Sequence, residues 1–362
     1  MKNKVVILIL NYNGLESLGS VLFQSIESAL RVNYDNFDVA VVDNGSTDGS
    51  AEEIANRFGR DVALIKLGKN YGYAGGNEFG FRKYVELKGF PEYVVVMNND
   101  YIVKNRDFLK VALKYMESRK DVVIAQGVNL QANGRRIESA GFFRDVMLYG
   151  AGRCNELKLS ECPEKPSYVS FVSGCLMIIK IKPVIGTRGC LFKKEFFMLW
   201  EDVELALNMW SHGLKTVAIP EVVGIHMSSA TVKKVAPLAW YTYTRNKLLV
   251  YKGALDPYIR SRYFYTAILF EISLLLLRMR QGVKGKIATR GFADAIFAKE
   301  ITKVSKGPYE PLIIAPKTWM GILSYLPAPL KRVEYFEKLA TLTVNDEMLK
   351  NCFRPFIIKV GM

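Results

Sequence analysis

The sequence predicts an α/β fold in which a mostly parallel central sheet is flanked by helices and followed by a helical C-terminal extension. Three observations lead there. Short apolar runs alternate with amphipathic stretches through the first hundred residues, the mark of strand–helix units. The runs are continuously apolar, as strands buried on both faces require. Polar clusters fall after three of these runs, at residues 11–14, 43–48 and 98–100, and ligands of such sheets sit at the carboxyl ends of the strands.

Taken in order, residues 5–10 read as the first strand. The basic Met-Lys-Asn-Lys start resembles a short signal peptide. However, only six apolar residues follow before Asn11, Tyr12, Asn13 and Gly14, with no small-residue cleavage site, so a buried strand fits better. Residues 15–30 read as an amphipathic helix, 37–42 as a strand, 50–58 as a helix and 62–66 as a strand. Residues 76–85 then read as a helix and 93–97 as the fourth strand. From 127 to 193 the pattern loosens into short strands and loops, with a strand at 171–180. A helix over 203–212 and a strand at 216–220 close the α/β part.

After about residue 231 the composition shifts, which divides the chain into a 1–230 domain and a mainly helical 231–362 region. Residues 241–251 are aromatic and basic. Residues 263–277 are apolar apart from Glu271 and a few small polar residues. Arg260, Arg262, Arg278, Arg280, Lys284 and Lys286 flank that run. It is shorter than the roughly 20 residues that span a bilayer. Two readings stand side by side: a helix lying on an anionic lipid surface, and a buried C-terminal helix.

The chain has 362 residues, half of them hydrophobic, enough for a substantial core and against dominant disorder. Its formal net charge of +15 points to an anionic partner: a nucleotide diphosphate, a nucleic acid or an acidic membrane face. Helix-turn-helix, zinc-finger and RNA-binding signatures are absent, so nucleic acid is not the expected partner. Five cysteines, Cys154, Cys162, Cys175, Cys190 and Cys352, lack a disulfide framework or C-x-x-C spacing and read as reduced thiols of a cytosolic protein. Few glutamines against abundant Lys and Arg point to a thermophile.

Four segments carry candidate chemistry. Asp43, directly after a strand, can accept hydrogen bonds from a base or ribose, with Gly45 and Gly49 permitting tight turns; Ser and Asp here also suit ordinary helix capping. In Asn70-Tyr71-Gly72-Tyr73-Ala74-Gly75-Gly76-Asn77, Gly75 and Gly76 place backbone at a helix N-terminus, a natural anion site. Asn98-Asn99-Asp100 ends the fourth strand, where a carboxylate can hold Mg2+ or Mn2+ bridging a diphosphate. The alternative is an Asn/Asp-rich turn, and a single acid needs a second ligand. Glu201, Asp202 and Glu204 precede an apolar helix. The helix dipole favours acids there whether they only cap it or one of them, Asp202 or Glu201, serves as general base. His226, at a strand end, is either a metal ligand or a satisfied polar residue; His212 suits a helix C-terminus.

Together and in order these segments resemble family 2 glycosyltransferases of the GT-A fold, especially the rhamnosyltransferase-like and galactofuranosyltransferase-like branch. The matching stretches are Ile9 to Asn13, Val42 to Ser50, Asn70 to Asn77, Asn98-Asn99-Asp100, Ser173-Gly174-Cys175, Phe196 to Glu204 and Ile225-His226-Met227. The resemblance implies an inverting transfer of a sugar from a nucleotide-diphosphate donor to a hydroxyl of a glycan or lipid-linked acceptor. It implies that Asp43 contacts the nucleobase, with Asn11 and Tyr12 walling the pocket. Asn13, Ser46, Asn70, Gly75, Asn77, Asn98 and Asn99 complete the implied nucleotide site. Asp100 is the implied metal-binding acid, His226 a second ligand, and Asp202, beside Glu201, the base. Ser173, Gly174 and Trp200 lie by the donor sugar and acceptor. One departure stands out: Asn98 replaces the usual first acid of the D-x-D motif. The segment Tyr243-Thr244-Arg245-Asn246-Lys247 looks like one that follows the catalytic domain in rhamnosyltransferase-like members, which often work at the cytoplasmic membrane face. Two alternatives remain. One is a sugar-phosphate nucleotidylyltransferase, whose N-terminal Gly-rich signature loop is missing here; the other is a degenerate nucleotide-sugar or glycan-binding protein, for which Asn98 gives some footing.

Overall fold

A computed structural model describes residues 3–144, 148, 150–162, 164–227, 236–253, 257–279 and 282–298. Ser228, the proposed boundary near 231, Arg280, Cys352 and the chain from 299 onward lie outside the described residues.

The first half alternates as its pattern predicts. β1 (Val5–Asn11) is followed by α1 (Gly14–Leu18) and α2 (Ser20–Leu30), then β2 (Phe37–Asp43), α3 (Ser50–Phe58), β3 (Ala63–Lys66), α4 (Gly72–Lys88) and β4 (Tyr93–Asn98). The expected single helix over 15–30 is two. Gly19 sits at φ 58, ψ −126, a conformation open to glycine and closed to residues with a Cβ, and it separates α1 from α2. The helix expected at 76–85 begins four residues earlier, because the Asn70 side chain accepts the Gly72 N–H at 2.8 Å and starts the first turn. Gly76 and Gly80 therefore lie inside α4. A Cβ at Gly76 would collide with Leu10 and Asn44, and one at Gly80 with Val42; these glycines let the helix press onto the sheet.

The middle of the chain contributes β5 (Tyr101–Val103), α5 (Phe108–Ser118), β6 (Val122–Leu130), β7 (Ile137–Ser139), the β8 (Phe142–Arg144) and β9 (Gly150–Gly152) hairpin, β10 (Ser167–Tyr168), β11 (Leu176–Lys180), α6 (Ile181–Arg188), α7 (Glu201–Ser211) and β12 (Lys215–His226). Among the described residues the main sheet runs β10-β12-β6-β11-β4-β1-β2-β3, with β5 on β12 and β7 on β6. β3, β2, β1 and β4 are mutually parallel, as are β6 and β12; β11 runs antiparallel between β4 and β6. The strand expected over 171–180 shortens to its second half. Phe171 makes only an isolated bridge with Phe142, and Ser173-Gly174 form a loop. The strand expected at 216–220 extends to His226. It passes Pro220 by shifting register between Ala218 and Val222, which is how a strand absorbs a residue without an N–H.

The expectation of reduced thiols fails at one pair: Cys154 and Cys162 form a disulfide. Both are buried beside Val128, Ile137 and Ala140, where the loop backbone pairs with β7 through Ile137 N–H to Leu157 O. Alternative ring closure over eight residues was invisible in spacing alone, since connectivity follows spatial approach. Cys175 and Cys190 remain free thiols.

α8 (Ala236–Gly253), α9 (Pro257–Met279) and α10 (Val283–Phe297) follow. Leu249, Val250, Tyr251 and Ala267 join the same apolar cluster as the sheet, so α8 and α9 share its core. Of the two readings of 263–277, burial holds for one face of the helix. One face of α9 buries Ala267, Glu271 and Leu275, while Tyr265, Leu269, Ile272, Leu276 and Met279 are exposed. Glu271 survives burial by pairing with Lys247 of α8. Breaking a buried pair leaves one charge uncompensated. Glu271→Ala is therefore expected to lower unfolding free energy by about 3–5 kcal/mol, while Lys247→Met with Glu271→Leu recovers most of the loss; urea denaturation of the three proteins measures this.

A candidate nucleotide and catalytic cleft at the sheet rim

The parallel register sets Asp43, Asn11 and Asn98 side by side. Asn11 pairs with Asp43 across β1 and β2, and Leu10 with Asn98 across β1 and β4. Asn11 is fully buried and joins three loops. It donates to Ser50 Oγ at 2.8 Å and Ser46 Oγ at 3.2 Å, and accepts from Asn99 Nδ2 at 3.3 Å. Asn13, in the left-handed region, accepts the Thr47 N–H, and its own N–H reaches Ser46 Oγ. Asp43 is buried and faces the Ser46 N–H. Gly45 takes φ 76, and its Cα packs on the Lys69 backbone too closely for any Cβ. Tyr12, 40% exposed, stands at the rim.

Asn44, not singled out from sequence, is the hub of the next loop. It donates to Asn70 Oδ1 and Gly72 O and accepts the Tyr71 N–H. Gly75 and Asn77 lie within α4; Asn77 Nδ2 donates to Tyr73 O at 2.9 Å while its buried Oδ1 has no hydrogen-bond partner among the described residues.

On the other side of β4 the second cluster assembles. Asp100 is buried, and its Oδ1 lies 3.2 Å from His226 Nε2. Asn98 Nδ2 is 3.3 Å from the same nitrogen. β5 pairs with β12 in a register that sets Tyr101 opposite His226. The other ring nitrogen, Nδ1, faces both oxygens of Glu138 at 2.8 and 2.9 Å. Burial alone lowers the imidazole pKa, but hydrogen bonds to Asp100 and Glu138 outweigh it and raise the value to about 9. Glu138 was missed in the sequence because it sits on a three-residue strand with no motif around it. Glu138, Cys175 and His226 offer ligand atoms within 4.8 Å of one another. Cys175 makes a poor ligand, since burial holds its thiol protonated, and a metal binds the thiolate. The oxygen and imidazole donors of Asp100 and His226 fit Mn2+ or Mg2+ once the cation displaces the Nε2 proton, with Glu138 orienting the ring as carboxylates do behind metal-bound histidines.

Asp202 opens α7, and one loop links it to the metal-type cluster. Its Oδ2 accepts the Gly174 N–H at 3.3 Å and its Oδ1 the Val203 N–H at 2.8 Å. Gly174 O accepts from the Tyr73 hydroxyl at 2.6 Å, and Cys175 O from the Asn98 N–H. Gln126, also unmarked in the sequence, fixes this loop by donating to Ser173 O and Leu176 O. A Cβ at Gly174 would strike Tyr73. Burial, reinforced by Glu201, Asp202, Cys175 and Asp100, pushes the Tyr73 hydroxyl far up, so these groups share one neighbourhood.

The segment before α7 is bent hard. Phe197, Leu199 and Trp200 all have positive φ, at roughly 1–3 kcal/mol each for residues with a Cβ. The Phe197 carbonyl accepts the Ala74 N–H of α4, and Gly72, at φ 72, leaves no room for a Cβ beside it. Trp200 is buried edge-on to Tyr243, with the Arg144 guanidinium over its ring.

Two adjacent buried acids cannot both ionise freely. Burial raises both. Asp202, however, is opposed by the Val203 N–H, the Arg144 charge and the Gly174 N–H, whereas Glu201 has the Asp202 charge against it and an Oε2 without a hydrogen-bond partner among the described residues. Glu201 is therefore the acid pushed further towards its protonated form, and Asp202 the one its neighbours favour as a carboxylate, the bias a general base needs.

Residues 6–175 match the family model described as glycosyl transferase family 2. The chain is 22% identical over 212 residues to rhamnosyltransferase WbbL of Escherichia coli (strain K12), across 53% of this chain and 79% of that protein. Its fold is similar to that of S. aureus TarS 1–349, with TM-score 0.50, 15% identity and 81% of each chain covered. It is similar also to mannosyltransferase PcManGT from Pyrobaculum calidifontis, solved with GDP-Man and Mn2+, with TM-score 0.52, 14% identity and coverage of 83% and 89%. At these identities the structural likeness establishes the fold.

The protonated Glu201 has a thermodynamic consequence. Above its ordinary value of 4.5, the unfolded chain releases the proton that the folded protein retains, so stability falls as pH rises. Glu201→Gln is expected to be more stable than the wild type near neutrality, with the gap shrinking as pH drops towards 4.5; urea midpoints across that range check it.

Proposed function

We infer that this chain, a GT-A glycosyltransferase whose residues 6–175 form a family 2 glycosyl transferase domain, transfers a sugar with inversion from a nucleotide-diphosphate donor to an acceptor hydroxyl. The observation that carries this reading is the Gly174 N–H on Asp202, next in the chain to Cys175, whose thiol lies within 4.8 Å of the nearest ligand atom of His226, itself paired with Asp100. It supports a reading in which a base and a diphosphate-binding cluster share one rim. Asp43, with Asn11, Tyr12, Asn13, Ser46, Asn70, Gly75, Asn77, Asn98 and Asn99, forms the nucleotide side in this proposal. Ser173, Gly174 and Trp200 border the donor sugar and acceptor. PcManGT was solved with GDP-Man and Mn2+, which supports a nucleotide-sugar donor here. The catalytic unit spans 1–230, with 231–362 as its helical extension.

Asp202 removes the proton from the acceptor hydroxyl. That oxygen forms the new bond to the anomeric carbon from the face opposite the diphosphate, whose bond breaks as the configuration inverts. A bound Mg2+ or Mn2+, held by Asp100 and His226, would neutralise charge on the departing diphosphate. Asn98 provides hydrogen bonding where a second acid is usual, and a binding protein with a degenerate site is the reading it favours. Asp202→Asn separates the two. It is expected to abolish transfer while nucleotide binding persists, and excess chelator to suppress wild-type turnover; substantial transfer by the variant would remove Asp202 as base. A thermal-shift panel of nucleotide-sugars with Mn2+ and Mg2+ identifies the donor, because a ligand of the native state raises apparent stability.

The acceptor we propose is a glycan or lipid-linked glycan at the cytoplasmic face of the cell membrane. Among the described residues no helix is long and apolar enough to cross a membrane. The exposed stripe Tyr265, Leu269, Ile272, Leu276 and Met279 supports peripheral contact, as do exposed Lys284, Lys286 and Arg290 on α10. A cytoplasmic site also requires the Cys154–Cys162 bridge to persist there, as bridges do inside hyperthermophiles. The protein is expected to pellet with anionic vesicles at low salt and be released by high salt, with Leu269→Glu and Leu276→Glu weakening the association; no pelleting at low salt would end the membrane proposal.

A further inference from the structure

In the strained loop before α7, Phe197 O takes the Ala74 N–H of α4 and Phe196 O the Met198 N–H, while Met198 O and Leu199 O find no backbone donor among the described residues. Buried carbonyls require donors, and one side chain from the C-terminal helices supplies them. Asn246 of α8 is fully buried, and its Nδ2 donates to Phe196 O at 2.7 Å, Met198 O at 2.9 Å and Leu199 O at 2.9 Å. Arg245 fixes which way the amide points. Its Nη1 donates to Asn246 Oδ1 at 2.8 Å, so the NH2 faces the loop, and it also reaches Glu195 O at 3.0 Å. The neighbours tie the same helix down: Tyr243 packs edge-on to Trp200, and Lys247 pairs with buried Glu271 on α9. The segment 243–247, which the sequence marks without a role, thus directs successive side chains at the loop and at α9.

We propose that Asn246 is the positioning residue that holds the Phe196–Trp200 loop in its positive-φ path and so aims the Asp202 carboxylate at the Gly174 side of the cleft. The loop leaves Asn246 and enters α7 within three residues, and Asp202 is the second residue of that helix. Nothing else among the described residues donates to the Met198 or Leu199 carbonyl. The opposite side of the loop is pinned by a single bond, Ala74 N–H to Phe197 O. Losing the amide lets Phe197, Leu199 and Trp200 relax to negative φ, which re-aims the start of α7. The role assigned to Asp202 rests on the transferase reading; the loop restraint does not.

The test uses the full chain with Asn246→Ala and Asn246→Asp, the second equal in size but without the donor. Amide exchange across 196–202 is expected to speed by about tenfold or more while the sheet is unchanged. A displaced base is expected to lower kcat by about 10²-fold with KM for the nucleotide-sugar within about twofold, since the nucleotide side is on other loops. Should Asn246→Ala fail to fold, Arg245→Ala frees the orientation of the amide and the Glu195 carbonyl while leaving the three Asn246 acceptors in reach, and is expected to move the same two readouts less. Unchanged exchange in 196–202, or a lowered thermal midpoint with wild-type kcat, overturns the proposal. If the wild type transfers no sugar while the variants still loosen 196–202, the transferase reading fails and the loop restraint stands.

Discussion

The hydrogen bond from the Gly174 N–H to the Asp202 carboxylate is the contact on which the site's layout depends. It joins the loop that leads into β11 to the start of α7, the helix that leads into β12. On one side, Gly174 is held by the Tyr73 hydroxyl and by Gln126 through Ser173, and Cys175 is hydrogen-bonded to the end of β4. On the other, Asp202 opens a helix that is buried nearly all round. That bond is the direct tie between Asp202 and the loop that carries Cys175 beside the Asp100–His226 pair.

Burial then assigns the charges. Arg144 and the Val203 and Gly174 N–H groups favour an ionised Asp202, while burial and the Asp202 charge outweigh a backbone hydrogen bond at Glu201 and push its carboxyl up. His226 is treated in the opposite sense: two carboxylates outweigh desolvation. Each residue reports its surroundings rather than its type, which is the usual condition of catalytic groups. The backbone participates too. Three residues with positive φ stand directly before Glu201, and strain of this sort persists only where neighbours over-determine it.

Much of this was legible in advance. The strands of the first half lie within one or two residues of their expected bounds, because each is a continuous apolar run closed by polar residues, a pattern that burial on both faces enforces. Asp43, Asp100, Asp202 and His226 were legible as chemistry because each follows or precedes such an element. The misreadings have definite causes. One helix became two at Gly19, since periodicity does not register a single backbone conformation. Phe171 to Cys175 looked strand-like by composition and became the loop that touches Asp202. Cys154 and Cys162 looked like odd thiols because their bridge depends on a fold that brings them together.

What the sequence by itself determined is the periodic part: which runs of the first half are strands, that those strands lie parallel, and that their polar ends gather along one rim. The tertiary structure alone decided the pairings across that rim. Glu138 stands behind His226, Gly174 beside Asp202, and Asn246 under the loop of residues 196–200, from positions 88, 28 and about 50 residues away in the chain. Hydrophobic periodicity is local and survives in one dimension. A hydrogen bond between distant segments depends on where the whole chain places its donors, and no local pattern encodes that.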